Sequence, residues 1–310
     1  MYKLLIDSLG TKLMIYSDVD LYPLFEQMGI YCHLPDMQII NNFNGDCQYN
    51  LYYNNDSKRI FKYDGDDIYV NYPLEEIAGG HGLLYIAGPL LEKQRQLNHS
   101  LTCHAACVSK DNKGILLLGS KGSGKTTMVL RMLLNGYSLV SNDICVIDYS
   151  NHQNVLALGG SKFLNIRQNV LEERVPEIKN RLSQNAFLNK SNIIVNPNDI
   201  HFKLERQPVS IIAAFILYVD NKMENIDLKP GNDLASKLYL SEDFSRYIRG
   251  VSNYFVNSQT GFIEGYIPSL DNSKLYEERE NFINDFVNLP YFGRLSGNMI
   301  DIEKRLVKKK

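Results

Sequence analysis

Gly119-Ser120-Lys121-Gly122-Ser123-Gly124-Lys125-Thr126 is the stretch that decides how this chain is read. It fits G-x-x-x-x-G-K-[ST] at every position, the pattern of a phosphate-binding loop. The chemistry accounts for the spacing. Glycines admit the backbone conformations that turn successive amides inward, and those amides form a concavity for phosphate oxygens. A helix starting at Lys125 aims its unpaired N–H groups and positive dipole end at the same anion. Lys125 reaches the β and γ phosphates as a point charge, and Thr126 offers a hydroxyl to Mg²⁺. The loop residues and Thr127 are therefore the expected nucleotide contacts, with a nucleoside triphosphate and Mg²⁺ as the expected ligands.

The flanks support that reading. Residues 115–118 are a short continuous apolar strand of the kind buried on both faces. Residues 125–135 read as a helix, with Gly136 placed to end it in the left-handed conformation. Lys110-Asp111-Asn112-Lys113-Gly114 reads as a hairpin turn, which makes residues 101–108 the partner strand. Further strands are expected at 137–141, 144–148, 155–158 and 210–219. Helices are expected at 83–97, with Pro89 as an interruption, and at 234–251, 275–287 and 300–307, with a helical patch at 172–182.

Residues 1–80 are different in character. Tyrosine and β-branched residues, punctuated by Asn, Asp and Gly, favour strands joined by hairpins at 2–6, 12–16, 48–53, 59–63 and 68–71. No chemical motif occurs there. The chain divides on this reading into a small β-rich domain, 1–80, and a phosphate-loop domain, 81–310.

Composition bounds the function. The chain has 310 residues, 44% hydrophobic and 22% charged, with a net charge of −2. That balance gives no field to attract nucleic acid or an anionic membrane. The basic end, Lys304-Arg305 and Lys308-Lys309-Lys310, reads as a solvated tail. Five cysteines, an odd number without a CxxC pair, argue against a disulfide framework or a zinc knuckle. Cys103 and Cys107 read as buried thiols on one strand face. The start of the chain turns acidic at Asp7, too early for a signal peptide, and no apolar run reaches the ~18 residues of a membrane span. A cytoplasmic protein is expected.

Candidate catalytic residues surround the loop. Asp143 follows Thr126 by seventeen positions, after a strand. It is either the base that takes the proton of an attacking hydroxyl or the carboxylate of the metal. His104 reaches the loop strand through the hairpin. Arg167 reads equally as a phosphate clamp and as a surface arginine, and Lys162 is a weaker candidate of the same kind. Arg246 and Arg249 lie among Tyr239, Phe244, Tyr247 and Ile248, which reads as a half-buried helix in preference to a peptide-holding face.

His104-Ala105-Ala106-Cys107-Val108, Lys113-Gly114-Ile115-Leu116-Leu117-Leu118-Gly119, the loop itself, Asn135-Gly136-Tyr137 and Leu139-Val140-Ser141-Asn142-Asp143 together resemble the HPr kinase/phosphorylase family. The resemblance covers residues 99–168, with a weaker echo in 207–219 and in Leu289-Pro290-Tyr291. That family includes kinases encoded beside peptide natural-product genes, such as the lasso-peptide precursor kinases, whose small β domain residues 1–80 loosely resemble. The resemblance implies an α/β fold like that of phosphoenolpyruvate (PEP) carboxykinase, a mixed sheet with the P-loop at one end. It also implies transfer of the γ-phosphoryl of ATP to a serine hydroxyl, here of a peptide or small protein. In this resemblance His104 matches a histidine beside the phosphates, and Lys125 and Thr126 match the loop lysine and the metal's hydroxyl ligand. Asn142-Asp143 falls on paired aspartates, which makes Asn142 a metal ligand as well, and Arg167 matches an arginine after the next strand. Asn142 and Asn165 stand where the HPr enzymes carry acidic residues. Asparagine can coordinate through its carbonyl oxygen but cannot act as a base, so metal binding leans on Thr126 and Asp143. Two alternatives stay open: a small-molecule kinase of the same fold acting on free serine or an alcohol, and a nucleotide-binding regulatory module with little turnover. The oligomeric state stays open too.

Overall fold

A computed structural model describes the chain except residues 29–33, 42, 78–81, 180–181, 183–186, 190–191, 251–253, 257–259 and 308–310. The elements run β1 (Tyr2–Ser8), β2 (Thr11–Ser17), α1 (Tyr22–Met28), β3 (Met37–Asn41), β4 (Asn50–Asn54), β5 (Ile60–Asp64), β6 (Asp67–Asn71), α2 (Leu74–Ile77) and α3 (Gly82–Leu97). There follow β7 (Ser100–Cys103), β8 (Ala105–Lys110), β9 (Lys113–Leu118), α4 (Lys125–Leu134), β10 (Ser138–Ser141), β11 (Cys145–Asp148), β12 (Leu156–Gly160) and β13 (Leu164–Arg167). Then come α5 (Gln168–Glu173), α6 (Pro176–Lys179), β14 (Phe187–Asn189), β15 (Asn192–Val195), β16 (Val209–Val219), β17 (Asp227–Pro230) and α7 (Leu234–Ser245). The chain closes with β18 (Tyr254–Val256), β19 (Ile263–Tyr266), α8 (Ser273–Phe286), β20 (Phe292–Gly297) and α9 (Met299–Val307).

These elements form two compact units, Met1–His99 with Ser245–Tyr276, and Ser100–Phe244 with Glu277–Lys310. The first unit holds a six-stranded sheet in the order β3-β1-β2-β4-β6-β5. Period-two alternation puts Leu4, Ile6, Leu13, Ile15, Leu51, Tyr53, Ile68 and Val70 on one face, where they form a core with α3. The helix contributes Leu83, Leu84, Ile86, Ala87, Leu90 and Leu91 to that core. It runs unbroken through Pro89. Hairpins join β1 to β2 and β5 to β6, but β4 lies between β2 and β6 and is parallel to both. The expectation of hairpins throughout fails at β4 because its neighbours are set by the shared apolar face, not by a tight turn.

The second unit carries a nine-stranded mixed sheet, β10-β8-β9-β16-β12-β11-β7, with β20 and β17 joined through β16. β9, β16 and β20 run parallel, and β8 and β12 run antiparallel to their neighbours. Alternate residues of β9 enter different cores. Ile115 and Leu117 pack with Met128, Met132 and Leu306 of α4 and α9. Leu116 and Leu118 pack with Leu240, Phe244, Phe282 and Phe286 of α7 and α8. The sheet is thus covered on both faces, which is why 115–118 reads as an unbroken apolar run. Burying each of these side chains is worth about 1.5–3 kcal/mol. No helix of the described residues is long and apolar enough to cross a membrane.

One expected strand is two. Residues 101–108 break at His104, so that β7 pairs with β11 while β8 pairs with β9 and β10. Cys103 and Cys107 consequently lie on different strands, though both are buried. The expected helix at 234–251 ends at Ser245.

Candidate functional site

Strand directions bring the site to one sheet edge. β9 ends at Leu118, which pairs with Ala105 at the start of β8, so Gly119 and His104 leave the sheet side by side. β10 is antiparallel to β8, with Ser141 opposite Cys107, and delivers Asn142 and Asp143 to the same edge. Register alone therefore assembles residues that are far apart in the sequence.

Between β9 and α4 the loop uses left-handed backbone at Gly119, Gly122 and Gly124, with φ of 146°, 89° and 96°. At Gly124 a side chain would also strike Val219, its Cβ falling 2.5 Å from Val219 Cγ2. Gly124 caps α4 without any side-chain hydrogen bond to the first turn, so the amides there stay open to an anion. Ser123 donates its N–H to the Ser120 carbonyl at 3.1 Å and accepts the Val219 N–H at 2.9 Å, which ties the loop to the end of β16. Lys125 is buried, and its Nζ donates to the carbonyls of Gly119 and Ser120. A buried ammonium curled over the loop's own carbonyls holds the loop shape. Thr126 and Thr127 are half-buried in the first turn of α4, and Ser120, Lys121 and Gly122 are exposed.

Asp143 stands beside this loop with φ of 76°. Aspartate is among the few residues that tolerate the left-handed region, and such backbone in a non-glycine residue concentrates at functional sites. Its Oδ1 lies 2.9 Å from His104 Nε2, with 17% and 60% of the His104 and Asp143 side chains exposed. The nitrogen that faces an ionised carboxylate is the one that carries the proton, so His104 donates and Asp143 accepts. Asn142 is buried. Its Nδ2 donates to the Phe163 carbonyl at 2.9 Å, while its Oδ1 has no hydrogen-bond partner among the described residues. Ser161 Oγ donates to the Asn142 carbonyl and accepts the Ile144 N–H, which pins the backbone on both sides of Asp143. At Gly160 a Cβ would fall 2.0 Å from the Ile144 carbonyl oxygen, so this close approach requires glycine.

The remaining candidates are more dispersed. Lys162 Nζ donates to the Val140 carbonyl. Arg167 ends β13 in a separate three-stranded sheet, β13-β15-β14, and its side chain is exposed, as is that of Asn165. Leu164 and Ile166 pack β13 into the core that holds α4. Arg246 is exposed, while Phe244, Tyr247 and Ile248 are buried, as a half-buried segment requires. Burial pushes the Cys103 thiol up, which keeps it neutral beside the site.

Two residues of α7 touch the site: Asp243, which the sequence did not single out, and Tyr239, which it offered only among the aromatic residues around Arg246 and Arg249. The Gly119 N–H donates to the Tyr239 hydroxyl at 2.7 Å, and the His104 N–H donates to Asp243 Oδ2 at 3.1 Å. The separations are 120 and 139 residues. No local pattern carries such a pairing; only the i, i+4 spacing of Tyr239 and Asp243 hinted that they share a helix face.

The fold and site define a mixed α/β domain with a glycine-rich strand–loop–helix and a His–Asp pair beside it. No protein-family model matches the chain. By sequence it is similar to "Putative HPr kinase/phosphorylase 2" of Oceanobacillus iheyensis, 26% identical over 151 residues, which is 46% of this chain and 47% of that protein. The match thus spans about half the length of that curated relative. Among solved structures it is similar to the HPr(Ser) kinase/phosphatase from Coxiella burnetii, with 13% identity and a TM-score of 0.30 over 66% of this chain and 91% of that one. A superposition that loose transfers no residue roles. The sequence similarity supports a relationship to the HPr kinase type.

Proposed function

We propose that this chain is an ATP-dependent kinase of the HPr kinase type that transfers the γ-phosphoryl group to a serine hydroxyl of a peptide or small protein. The observation that carries the reading is the 2.9 Å His104–Asp143 pair beside an uncapped phosphate loop. A loop alone binds a triphosphate; a carboxylate held at its side gives it a place to accept a proton. A PEP carboxykinase-like arrangement of the loop domain belongs to the same proposal.

The residues present suit a nucleotide and a metal. The first-turn amides of α4, Lys125 and the loop amides match triphosphate oxygens. Among the described residues no cluster of three or more His, Cys, Asp or Glu side chains could hold a metal ion. Mg²⁺ tolerates that, since it binds through one or two carboxylates plus substrate phosphates. Thr126 and Asn142 are the proposed ligands, joined by Asp143 where its carboxylate serves the metal and not the acceptor hydroxyl, and the Asn142 Oδ1 is a buried acceptor with no hydrogen-bond partner among the described residues. When bound, the metal neutralises phosphate charge.

The chain's own groups do the rest. Lys125 leaves the Gly119 and Ser120 carbonyls for the phosphates. Asp143 orients the acceptor hydroxyl and takes its proton, and His104 fixes the carboxylate's direction. Arg167 stabilises charge on the transferred group. Titration calorimetry with ATP and Mg²⁺ tests the first half of this account. Lys125→Ala is expected to weaken binding by at least a hundredfold, the loss of a charge-assisted phosphate contact together with loop order. Equal affinity in wild type and Lys125→Ala would exclude the loop as the binding site.

A further inference from the structure

We infer that α7 is a positioning element that sets the phosphate loop and the His104–Asp143 pair relative to one another, through Tyr239 and Asp243. The inference rests on the kinase reading for its catalytic consequence, but the contacts stand without it.

Tyr239 and Asp243 are four apart, so both project from one face of the helix. Tyr239 accepts the N–H of Gly119, the first residue of the loop; Asp243 accepts the N–H of His104, the residue at the break between β7 and β8. Gly119 and His104 are themselves neighbours, since the residues beside them, Leu118 and Ala105, are paired across β8 and β9. One helix therefore grips both arms of the site at once. α7 is fixed in turn by Leu240 and Phe244, which are fully buried and pack with Leu118, Phe282 and Phe286. Asp233 Oδ1 accepts the Ser236 N–H at 2.8 Å and caps its first turn.

The two contacts have separable consequences. Tyr239 fixes the peptide on which loop curvature begins, so it acts on nucleotide affinity. Asp243 fixes the backbone from which the His104 ring projects, so it acts through His104 on the direction of the Asp143 carboxylate and hence on turnover. Asp243 is a buried carboxylate facing a backbone amide. An asparagine Oδ1 can accept the same hydrogen bond, which distinguishes geometry from charge.

Hydrogen–deuterium exchange on the full chain without ligand, paired with ATP titration and transfer kinetics, tests this. Tyr239→Phe is expected to speed exchange in the segment containing Gly119 and to weaken ATP binding on the order of tenfold, the worth of one hydrogen bond. Asp243→Ala is expected to speed exchange in the segment containing His104 and to lower kcat at least tenfold with ATP affinity kept. Asp243→Asn should restore both and leave the pH profile unchanged. Leu238→Gln, on the exposed side of α7, is the control and should change neither segment. Faster exchange in both segments for each variant, or in neither, overturns the inference, as does Asp243→Asn behaving like Asp243→Ala in a chain with wild-type melting temperature. Segment-specific exchange in a chain that binds no ATP would leave the positioning role standing and remove the kinase reading. Intact transfer without segment-specific exchange would do the opposite.

Discussion

Asp143 combines two demands that a single substitution separates. Its backbone sits at φ 76°, and its carboxylate meets His104. Asparagine tolerates that backbone and keeps an oxygen for the His104 N–H, but takes no proton. Asp143→Asn is expected to fold with an unchanged melting temperature, to bind ATP, and to lose transfer by at least a hundredfold. Asp143→Ala carries an added cost of about 1 kcal/mol for the left-handed backbone. Thermal melts and single-turnover kinetics of both variants measure this. The loop and Asp143 were legible in the sequence because they are local, a spacing of glycines with one lysine and an aspartate after a short strand. His104 was legible only as a neighbour of the loop. Its pairing with Asp143 depends on the strand break at residue 104, and nothing in Cys103-His104-Ala105 marks that break.

At the scale of elements, α7 depends on its first turn. Asp233 caps it and pairs with Arg294 at 2.5 Å. Hydrogen bonds from Ser236, and then the Arg294 charge, hold the Asp233 carboxyl below the usual carboxylate range. A lowered folded-state pKa contributes stability that is complete above the ordinary value and is lost as pH falls through the lowered one. Asp233→Ala is therefore expected to cost about 1 kcal/mol at neutral pH, and the charge-dependent part of that cost should be lost in acid below the carboxylate range. Denaturant titrations of both chains across that pH range read it. Helices α3, α4, α8 and α9 and strands β9 and β16 were legible because each carries an unmistakable apolar period or run. Strand β20 was not. Phe292-Gly293-Arg294-Leu295-Ser296-Gly297 is short and broken by glycine, and it becomes a strand through parallel pairing with β16. The position of β4 was hidden for a similar reason, since its two parallel partners come from separate hairpins.

For the whole molecule, chain order and compactness part company. Residues 245–276 return to the first unit, where Ile267 is buried in the core built by β1–β6 and α3. Composition suggested a cut at residue 80, because the strand-rich tyrosine pattern fades there. The apolar face of α3 extends the first unit to His99, and a return segment so far along the chain leaves no trace in local composition. A chain beginning at residue 100 should keep the loop domain's secondary structure but expose residues 245–276 to protease. Limited proteolysis should cut that segment at least tenfold faster than in the full chain, and equal rates would contradict the shared core.

The central claim is phosphoryl transfer at the edge where β8, β9 and β10 meet. Its most direct test is incubation of the full chain with γ-³²P-ATP, Mg²⁺, a degenerate serine-peptide library and free serine. The account predicts acid-stable label on peptides, dependent on Lys125 and abolished by Asp143→Asn. Label confined to free serine would assign the small-molecule reading instead. ATP bound through Lys125 with no acceptor labelled, or label undiminished in Asp143→Asn, would contradict it.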